Sequence, residues 1–297
     1  MRYGFVGLGE LGGALAACLI RAGFAVRVHD RDPGRGAAAV AAGGAWAASP
    51  AQAAEGADAV VTCLPSPLAS EAVLEAMALG PGQAWVEMST LGRADVLRLA
   101  ALARARGARM LEAPVTGGVH LALRGEVTVL AGGEADLLER HRPALEAMGR
   151  RVIHMGPLGS AAVAKVITNM LAFVHLLSCG EALMLARRSG LDLARAWEAI
   201  AASSGTSFVH ETEGRLILNG SYDVGFSMDL AIKDLGFALD LGREGGVPLD
   251  LAERAMAAFR EGRAAYGGAA PSTMVVRLLE DALGTDLRAE GFPARLA

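Results

Sequence analysis

The sequence has few aromatic residues, few cysteines and no concentration of basic charge. Phe, Trp and Tyr make up 5% of the 297 residues, so the core must consist mainly of Ala, Leu, Val and Met. Cys18, Cys63 and Cys179 are far apart, which excludes zinc-finger spacing and a disulfide framework, and each is expected to be a small core residue. The formal charge is -4 without any run of Lys or Arg, which argues against binding to nucleic-acid phosphates.

Long uncharged apolar stretches are also missing. No apolar run reaches about 18 residues without a charged residue, so we expect no contact with a membrane. The first residues follow a strand pattern directly, with no basic and then apolar leader ahead of it. These features favour a cytoplasmic protein with reduced thiols.

The first half of the sequence alternates short apolar runs with Ala-rich helical stretches, which predicts βαβ units and a mostly parallel sheet. The predicted strands are Tyr3–Val6, Ala25–His29, Ala59–Cys63, Ala84–Glu87, Met110–Glu112, Val127–Ala131 and Arg151–His154. The predicted helices are Leu11–Ala22, Gly34–Ala42, Leu68–Met77, Arg93–Arg106 and Glu134–Met148. Residues 37–57, which are rich in alanine, are interpreted as a helix followed by a surface turn.

Strand patterns stop after Gly159. The helical patterns that follow are Ser160–Ser189, Asp192–Ser203, Leu230–Glu244, Pro248–Glu261 and Ser272–Leu283. We therefore predict an α/β Rossmann-type N-terminal domain, residues 1–159, joined by a long helix to an all-α C-terminal domain, residues 160–297. The apolar, Ala-rich helical half is expected to carry the surface of a homodimer or homotetramer.

A dinucleotide fingerprint follows the first predicted strand. The segment Gly7-Leu8-Gly9-Glu10-Leu11-Gly12 matches G-x-G-x-x-G between a strand and a helix. The first glycine permits the tight turn, the second lets the backbone approach a pyrophosphate, and the third lets the helix pack on the strand. The helix N-terminus then presents free N–H groups to the phosphates. All six residues are candidate cofactor contacts.

The second strand ends in Asp30, about 20 residues beyond the loop, where an acidic side chain can accept hydrogen bonds from the ribose hydroxyls of NAD. The same carboxylate would repel the 2′-phosphate of NADP. Arg31 and Arg35 follow, and an arginine there can hold that phosphate. The sequence therefore favours NAD and leaves NADP open, with Asp30 and Arg31 as cofactor-binding candidates.

The segment Glu112-Ala-Pro-Val-Thr116-Gly117-Gly118 ends another strand. Its proline stops the strand, and a hydroxyl and two adjacent glycines follow, so that side-chain and backbone donors can bind a carboxylate. Thr116, Gly117 and Gly118 are therefore predicted to bind substrate. His120 follows in the same loop and is a candidate contact for the distal part of the substrate.

Lys165 and Asn169 lie four residues apart in the long predicted helix and therefore share one helix face. Lys165 is flanked by Val163, Ala164, Val166 and Ile167. Partial desolvation in such surroundings moves a lysine's pKa towards the range of a general acid or base. Considered alone, the residue could equally be a surface lysine whose stem covers apolar area.

A third segment, Met228-Asp-Leu-Ala-Ile-Lys233-Asp234, completes a set of motifs in the order and spacing of a known family. The chain resembles, over nearly its whole length, the β-hydroxyacid dehydrogenases, the group that contains 3-hydroxyisobutyrate dehydrogenase and tartronate semialdehyde reductase. The resemblance implies that Lys165 is the catalytic acid/base, that Asn169 orients the substrate, that Lys233 reaches the cofactor and that Asp234 supports the site. The family usually has Asp at Glu112 and at Glu87, and Ser at Thr116.

Two strand ends complete the predicted cofactor site. In open α/β sheets ligands bind beyond the carboxyl ends of the strands, so Leu64, Pro65 and Thr90 should flank the ribose and nicotinamide. Glu87, at the end of the same strand as Thr90, is interpreted as structural. No pair of histidines has metal-ligand spacing, so no metal site is predicted.

The resulting hypothesis is an NAD(P)-dependent oxidoreductase that interconverts a small 3-hydroxy acid and its semialdehyde or 3-oxo acid. Three alternatives remain: an imine reductase or reductive aminase, a decarboxylating dehydrogenase of the 6-phosphogluconate type, and a non-catalytic dinucleotide sensor. Lys165 argues against the first and the last. The second would need an arginine cluster for a phosphate, and the sequence has no clear one.

Overall fold

The computed structural model describes residues 1–296. They divide into two compact units, Met1–Val166 and Ile167–Ala297. The division falls within a 29-residue helix, Ser160–Arg188, so this helix starts in the first unit and continues into the second.

The first unit is built on a nine-stranded sheet. Its strands are β1 (Arg2–Val6), β2 (Ala25–His29), β3 (Ala45–Trp46), β4 (Ala59–Thr62), β5 (Ala84–Glu87), β6 (Arg109–Glu112), β7 (Val115–Thr116), β8 (Val127–Gly132) and β9 (Gly149–Gly156). Six of them run parallel in the order β3-β2-β1-β4-β5-β6. The strand order reverses between β1 and β4, which is where ligands bind in doubly wound sheets.

The helices of the first unit connect these strands. They are α1 (Glu10–Arg21), α2 (Ala37–Ala41), α3 (Pro50–Ala54), α4 (Pro67–Met77), α5 (Arg93–Ala105), α6 (Val119–Arg124), α7 (Ala135–Met148) and the start of α8 (Ser160–Arg188). Parallel strands are buried on both faces, and β4 and β5 are accordingly fully covered and apolar except for Thr62 and Glu87 at their ends. One apolar cluster contains Leu15 and Leu145, and the other contains Trp85 and Leu99.

The second unit is helical. Besides the rest of α8 it contains α9 (Leu193–Ala201), α10 (Phe208–Glu211), α11 (Glu213–Asn219), α12 (Met228–Gly245), α13 (Asp250–Tyr266) and α14 (Arg277–Leu283). Its own core includes Phe173, Leu183, Leu235 and Phe259. Helix α12 is capped at both ends: the Ser227 hydroxyl accepts from the backbone N–H of Leu230, and Gly246 ends the helix in the left-handed region.

The predicted parallel sheet and helical second half are confirmed, but short elements were missed. Residues 37–57 form helix α2, strand β3 and helix α3, not a helix and a turn. The overlooked signal was Ser49-Pro50, because Ser49 caps α3 by accepting from the N–H of Gln52. Strand β7 and helices α6, α10 and α11 were missed because each is only two to seven residues long.

Three predicted helices have different bounds or types. The segment Gly34–Ala42 begins as a 3₁₀ turn, Pro33–Gly36, and Ser272–Leu283 also begins as one, Ser272–Val276. The helix predicted to end at Glu261 continues to Tyr266. Its Gly262 marks close packing, since a Cβ there would lie 3.1 Å from Met228 Cε, and does not end the helix.

Helix α8 is long and apolar enough to cross a membrane by length and composition, with a mean hydropathy of 1.6 over its most apolar window. A single such helix is weak evidence, since core helices of soluble proteins pass the same test.

Candidate active site

The glycine loop after β1 has the geometry that its sequence predicts. Gly7 has a φ of +98°, and a Cβ there would lie 2.4 Å from the carbonyl oxygen of Cys63. A Cβ on Gly12 would lie 2.0 Å from the carbonyl oxygen of Gly7, so α1 can approach the strand only without a side chain. Gly9 has no protein backbone near its missing Cβ, and only the Arg35 side chain comes within 4 Å. The loop therefore leaves room for a pyrophosphate beside the N-terminus of α1.

Asp30 lies beside this loop. One carboxylate oxygen accepts from the backbone N–H of Leu8 at 2.7 Å, and the other accepts from Asp32 N at 2.9 Å. The carboxylate thus fixes the position of the glycine loop. Each of its oxygens has a second lone pair that can accept another hydrogen bond. Arg31 is exposed. Arg35 lies over the loop, with its guanidinium 3.3 Å from the position of a Gly9 Cβ, and forms an exposed ion pair with Asp32.

The ends of β4 and β5 are held together by a serine that the sequence analysis did not single out. Ser89 accepts from the backbone N–H of Leu64 at 2.8 Å, and its own N–H donates to the Glu87 carboxylate at 2.8 Å. Glu87 is buried, and burial raises the pKa of its carboxyl. This bond network supports the structural interpretation of Glu87. Pro65 is exposed and Thr90 half-buried at the same edge of the sheet.

The segment predicted to bind a carboxylate forms strand β7 and a turn. Thr116 pairs with Thr128 of β8, and Gly117 and Gly118 have φ values of +124° and +84°. These values favour glycine, so the turn needs both of them. Gly118 precedes helix α6, which contains His120. Burial, followed by the charge of Arg124, lowers the pKa of His120, which favours the neutral imidazole.

Lys165 lies in the second turn of α8 and is 8% exposed. The partial desolvation predicted from its apolar neighbours is therefore present. The N-terminus of this helix is held by Glu112, whose carboxylate accepts from the backbone N–H groups of Gly159, Ala161 and Ala162. The motif that contains Glu112 does not predict this contact, because 47 residues separate Glu112 from Gly159.

In the second unit, Asp234 joins two predicted site residues. One of its carboxylate oxygens accepts from Asn169 Nδ2 at 2.6 Å, and the other accepts from Lys233 Nζ at 2.6 Å. Asp234 is 1% exposed, and the Lys233 ammonium also lies 4.9 Å from the centre of the Phe237 ring. Because Nδ2 faces Asp234, the orientation of the Asn169 amide is set by the protein.

Lys165 and Lys233 are the only lysines in the chain, and the other 26 of its 28 Lys and Arg residues are arginines. Arginine is always charged, whereas lysine is a compact ammonium whose pKa responds to burial. The chain therefore carries lysine only at the two positions that the family motifs single out for chemistry or cofactor binding.

His29, His141, His154 and His210 have structural contacts, as expected for His29, whose Nδ1 lies 2.9 Å from the carbonyl oxygen of Ala47. His154 contacts the carbonyl of Gly133, and buried His141 contacts Tyr3. Within residues 1–296, no group of three or more His, Cys, Asp or Glu side chains is arranged to hold a metal ion.

A doubly wound parallel sheet with an open glycine loop after its first strand is the arrangement with which NAD(P)-dependent oxidoreductases bind their cofactor. Family comparison agrees with this class. The family described as the NAD binding domain of 6-phosphogluconate dehydrogenase matches residues 2–156. The family described as NAD-binding of NADP-dependent 3-hydroxyisobutyrate dehydrogenase matches residues 159–279.

The individual relatives are dehydrogenases named for hydroxy-acid substrates. The chain is 32% identical over 293 residues to the 2-(hydroxymethyl)glutarate dehydrogenase of Eubacterium barkeri, covering 97% of each protein. It is 34% identical to the NAD-dependent L-serine dehydrogenase of Pseudomonas aeruginosa, covering 86% of this chain and 90% of that enzyme. A solved 3-hydroxyisobutyrate dehydrogenase from Salmonella typhimurium has a TM-score of 0.87 at 31% identity, covering 94% of this chain and 99% of that one.

The chain therefore belongs to the β-hydroxyacid dehydrogenase family, whose cofactor is NAD or NADP. The imine reductase of a Pseudomonas species has a TM-score of 0.64 at 19% identity, which shows a shared fold and nothing more.

Proposed function

We propose that this protein interconverts a small 3-hydroxy acid and its semialdehyde or 3-oxo acid, with Lys165 as the general acid/base. The observation that carries the proposal is the burial of Lys165, 8% exposed, on a helix anchored beside the strand that leads into the Thr116 turn. Lysine is almost never buried unless its ammonium group is paired, so the burial of Lys165 at this place favours a role in the chemistry of the site.

In this proposal the carboxylate of the substrate binds at the Thr116 hydroxyl and at the backbone N–H groups of Gly117 and Gly118. Lys165 takes the proton from the substrate hydroxyl during oxidation and returns it during reduction. Asn169, oriented by Asp234, hydrogen-bonds the reacting hydroxyl or the carboxylate. When bound, NAD supplies the hydride acceptor.

The residues present fit a dinucleotide. A side chain at Gly9 would fill the space where the backbone approaches a pyrophosphate, and the N-terminus of α1 provides unpaired N–H groups. The assigned contacts are Gly7, Leu8, Gly9, Glu10, Leu11, Gly12, Asp30, Arg31, Leu64, Pro65, Thr90 and Lys233. We propose NAD as the preferred cofactor because the Asp30 carboxylate lies against the loop, whereas Arg35 provides a positive charge that keeps NADP acceptable.

A substrate panel tests this proposal. Purified protein is assayed for NAD and NADP reduction with 3-hydroxyisobutyrate, L-serine, L-threonate and 2-(hydroxymethyl)glutarate, the substrates named for its relatives. We expect at least one acid to be oxidised, with a higher kcat/KM for NAD than for NADP. His120→Ala should change the order of the kcat/KM values for the four acids and leave the KM for the cofactor nearly unchanged.

Two other outcomes would contradict the proposal. Cofactor binding without turnover of any hydroxy acid would favour a dinucleotide sensor. Reduction of cyclic imines with NADPH, in the absence of hydroxy-acid oxidation, would favour an imine reductase.

We also propose a soluble cytoplasmic homodimer or homotetramer. Ile167, Leu171 and Leu185 are 42%, 45% and 69% exposed and recur on one face of α8. Exposed apolar stripes of this kind mark protein–protein contacts. Light scattering should give a mass at least twice 30.5 kDa, which Leu185→Glu should reduce. Leu68→Glu, at a leucine on α4 that is 77% exposed, should leave the mass unchanged. A monomeric parent protein would contradict this assignment.

A further inference from the structure

We propose that Glu112 is a positioning residue that sets the location of the Lys165 amine relative to the Thr116 turn. This inference rests on the proposed role of Lys165. It concerns a contact that ties two parts of the first unit, strand β6 and the start of α8, across nearly fifty residues of sequence.

The contact uses both oxygens of the carboxylate. Oε1 accepts from the backbone N–H of Gly159 at 2.6 Å and of Ala161 at 3.1 Å, and Oε2 accepts from Ala162 N at 2.9 Å. The first N–H groups of a helix have no partner within the helix, and a carboxylate there also interacts favourably with the helix dipole. Glu112 thus satisfies three donors that would otherwise be buried and unpaired.

The surrounding sheet reserves space for this side chain. Glu112 is 1% exposed and pairs with Gly132 on the antiparallel strand β8. A Cβ at Gly132 would lie 2.1 Å from Glu112 Oε1, so any other residue at that position would displace the carboxylate. Burial raises the pKa of the Glu112 carboxyl, and the three backbone N–H donors act in the opposite direction.

The connection to Lys165 follows from helix geometry. Lys165 comes three residues after Ala162, about one turn further along the same helix. Side chains in a helix point back towards its N-terminus, so the amine extends towards the turn that Glu112 holds. In the sequence, Glu112 is followed directly by the residues that lead into Thr116 and Gly117. A shift of the first turn of α8 would therefore move the amine relative to the proposed carboxylate site.

Two substitutions separate this role from simple packing. Glu112→Gln keeps the size of the side chain but replaces one acceptor with a donor that faces backbone N–H groups. Glu112→Asp keeps the carboxylate and shortens the side chain. We expect kcat to fall on the order of 10- to 100-fold in Glu112→Gln, with an unchanged KM for NAD, and to fall less in Glu112→Asp. If the residue only fills space, the order will be reversed, which would overturn the inference.

Gly132→Ala provides an independent variant that keeps the carboxylate but displaces it, and it should reproduce the loss of kcat. Leu145→Ala, at a fully buried leucine on α7, is the control for general destabilisation and should lower the melting temperature with little change in kcat. If Leu145→Ala lowers kcat as much as Glu112→Gln at equal loss of stability, the effect is general and the inference is wrong.

Two further measurements test whether Glu112 affects kcat through the position of Lys165. With ¹³C-labelled lysine the chain gives two Cε resonances, because it has two lysines. Glu112→Gln should shift the Lys165 resonance and leave that of Lys233 in place. In a Lys165→Met background, Glu112→Gln should have no further effect on kcat. A fully active Lys165→Met enzyme would refute the proposed function itself, whereas an inactive one combined with a normal Glu112→Gln enzyme would refute only this inference.

Discussion

Replacement of Lys165 by methionine should lower kcat by about 10²- to 10⁴-fold, the usual contribution of a general acid/base, while NAD still binds. Methionine matches the unbranched stem of lysine and is tolerated in a buried position, so the fold should persist. What is lost is the group that exchanges a proton with the substrate hydroxyl. The measurement is steady-state turnover of the best acid in the panel, together with NAD binding by calorimetry.

Lys165→Arg is the matched control for charge. Arginine keeps a positive charge at the helix but cannot give up its proton at neutral pH, so this variant should be nearly as inactive as Lys165→Met. If Lys165→Arg retained most of the activity, the residue would act through its charge alone and the acid/base assignment would be wrong. Near-normal turnover in Lys165→Met would exclude any direct chemical role.

The small number of lysines also allows the titration of Lys165 to be observed directly. In protein labelled with ¹³C-lysine, the two Cε resonances can be assigned with a Lys233→Met variant. The pH dependence of the Lys165 resonance should coincide with the limb of the kcat/KM profile that reports the general base in the free enzyme. A titration that does not follow that limb would assign the base to another group.

The second large effect is expected at the glycine loop. Gly9→Ala should raise the Kd for NAD by roughly 100-fold, about 2.8 kcal/mol, with only a small loss of thermal stability because alanine is a poorer N-cap for α1 than glycine. In the protein the added Cβ meets only the flexible end of Arg35, and Gly9 already has a φ of -62°, which alanine adopts freely. The methyl group instead occupies the space where the backbone would approach the pyrophosphate.

Gly13→Ala is the matched control four residues along. Gly13 lies within α1, and a Cβ there would be 3.4 Å from the carbonyl oxygen of Leu8, an ordinary contact. Because alanine is a better helix former, this variant should bind NAD normally and gain about 0.5–1 kcal/mol of stability. Equal affinities in the two variants would place the pyrophosphate elsewhere.

Much of the fold could be predicted because its determinants are local. Apolar runs of four or five residues predicted the central strands to within one or two residues, and the glycine spacing predicted the loop after β1. The elements that were missed are short, such as Ala45–Trp46 and Val119–Arg124. A strand of two residues has no periodicity to detect, and its existence depends on the neighbouring strand with which it pairs.

The candidate site also has one part that could be predicted from the sequence and one part that could not. Sequence motifs alone identified Gly9, Thr116, Lys165 and Lys233 as candidates, because each lies in a short segment with a recognisable spacing. They could not show that Ser89 accepts a hydrogen bond from the backbone N–H of Leu64, or that Asp234 orients Asn169. These bonds join residues 25 and 65 positions apart, and no local pattern reports them.

The sequence by itself determined that this chain has a dinucleotide-binding half, a helical half and a lysine-bearing helix between the two patterns. Only the tertiary structure decided how the start of that helix is anchored. Folding brings the Glu112 carboxylate to three backbone N–H groups at the start of α8. A buried helix terminus must be satisfied by whatever acceptor the rest of the fold supplies, and that partner can come from anywhere in the chain.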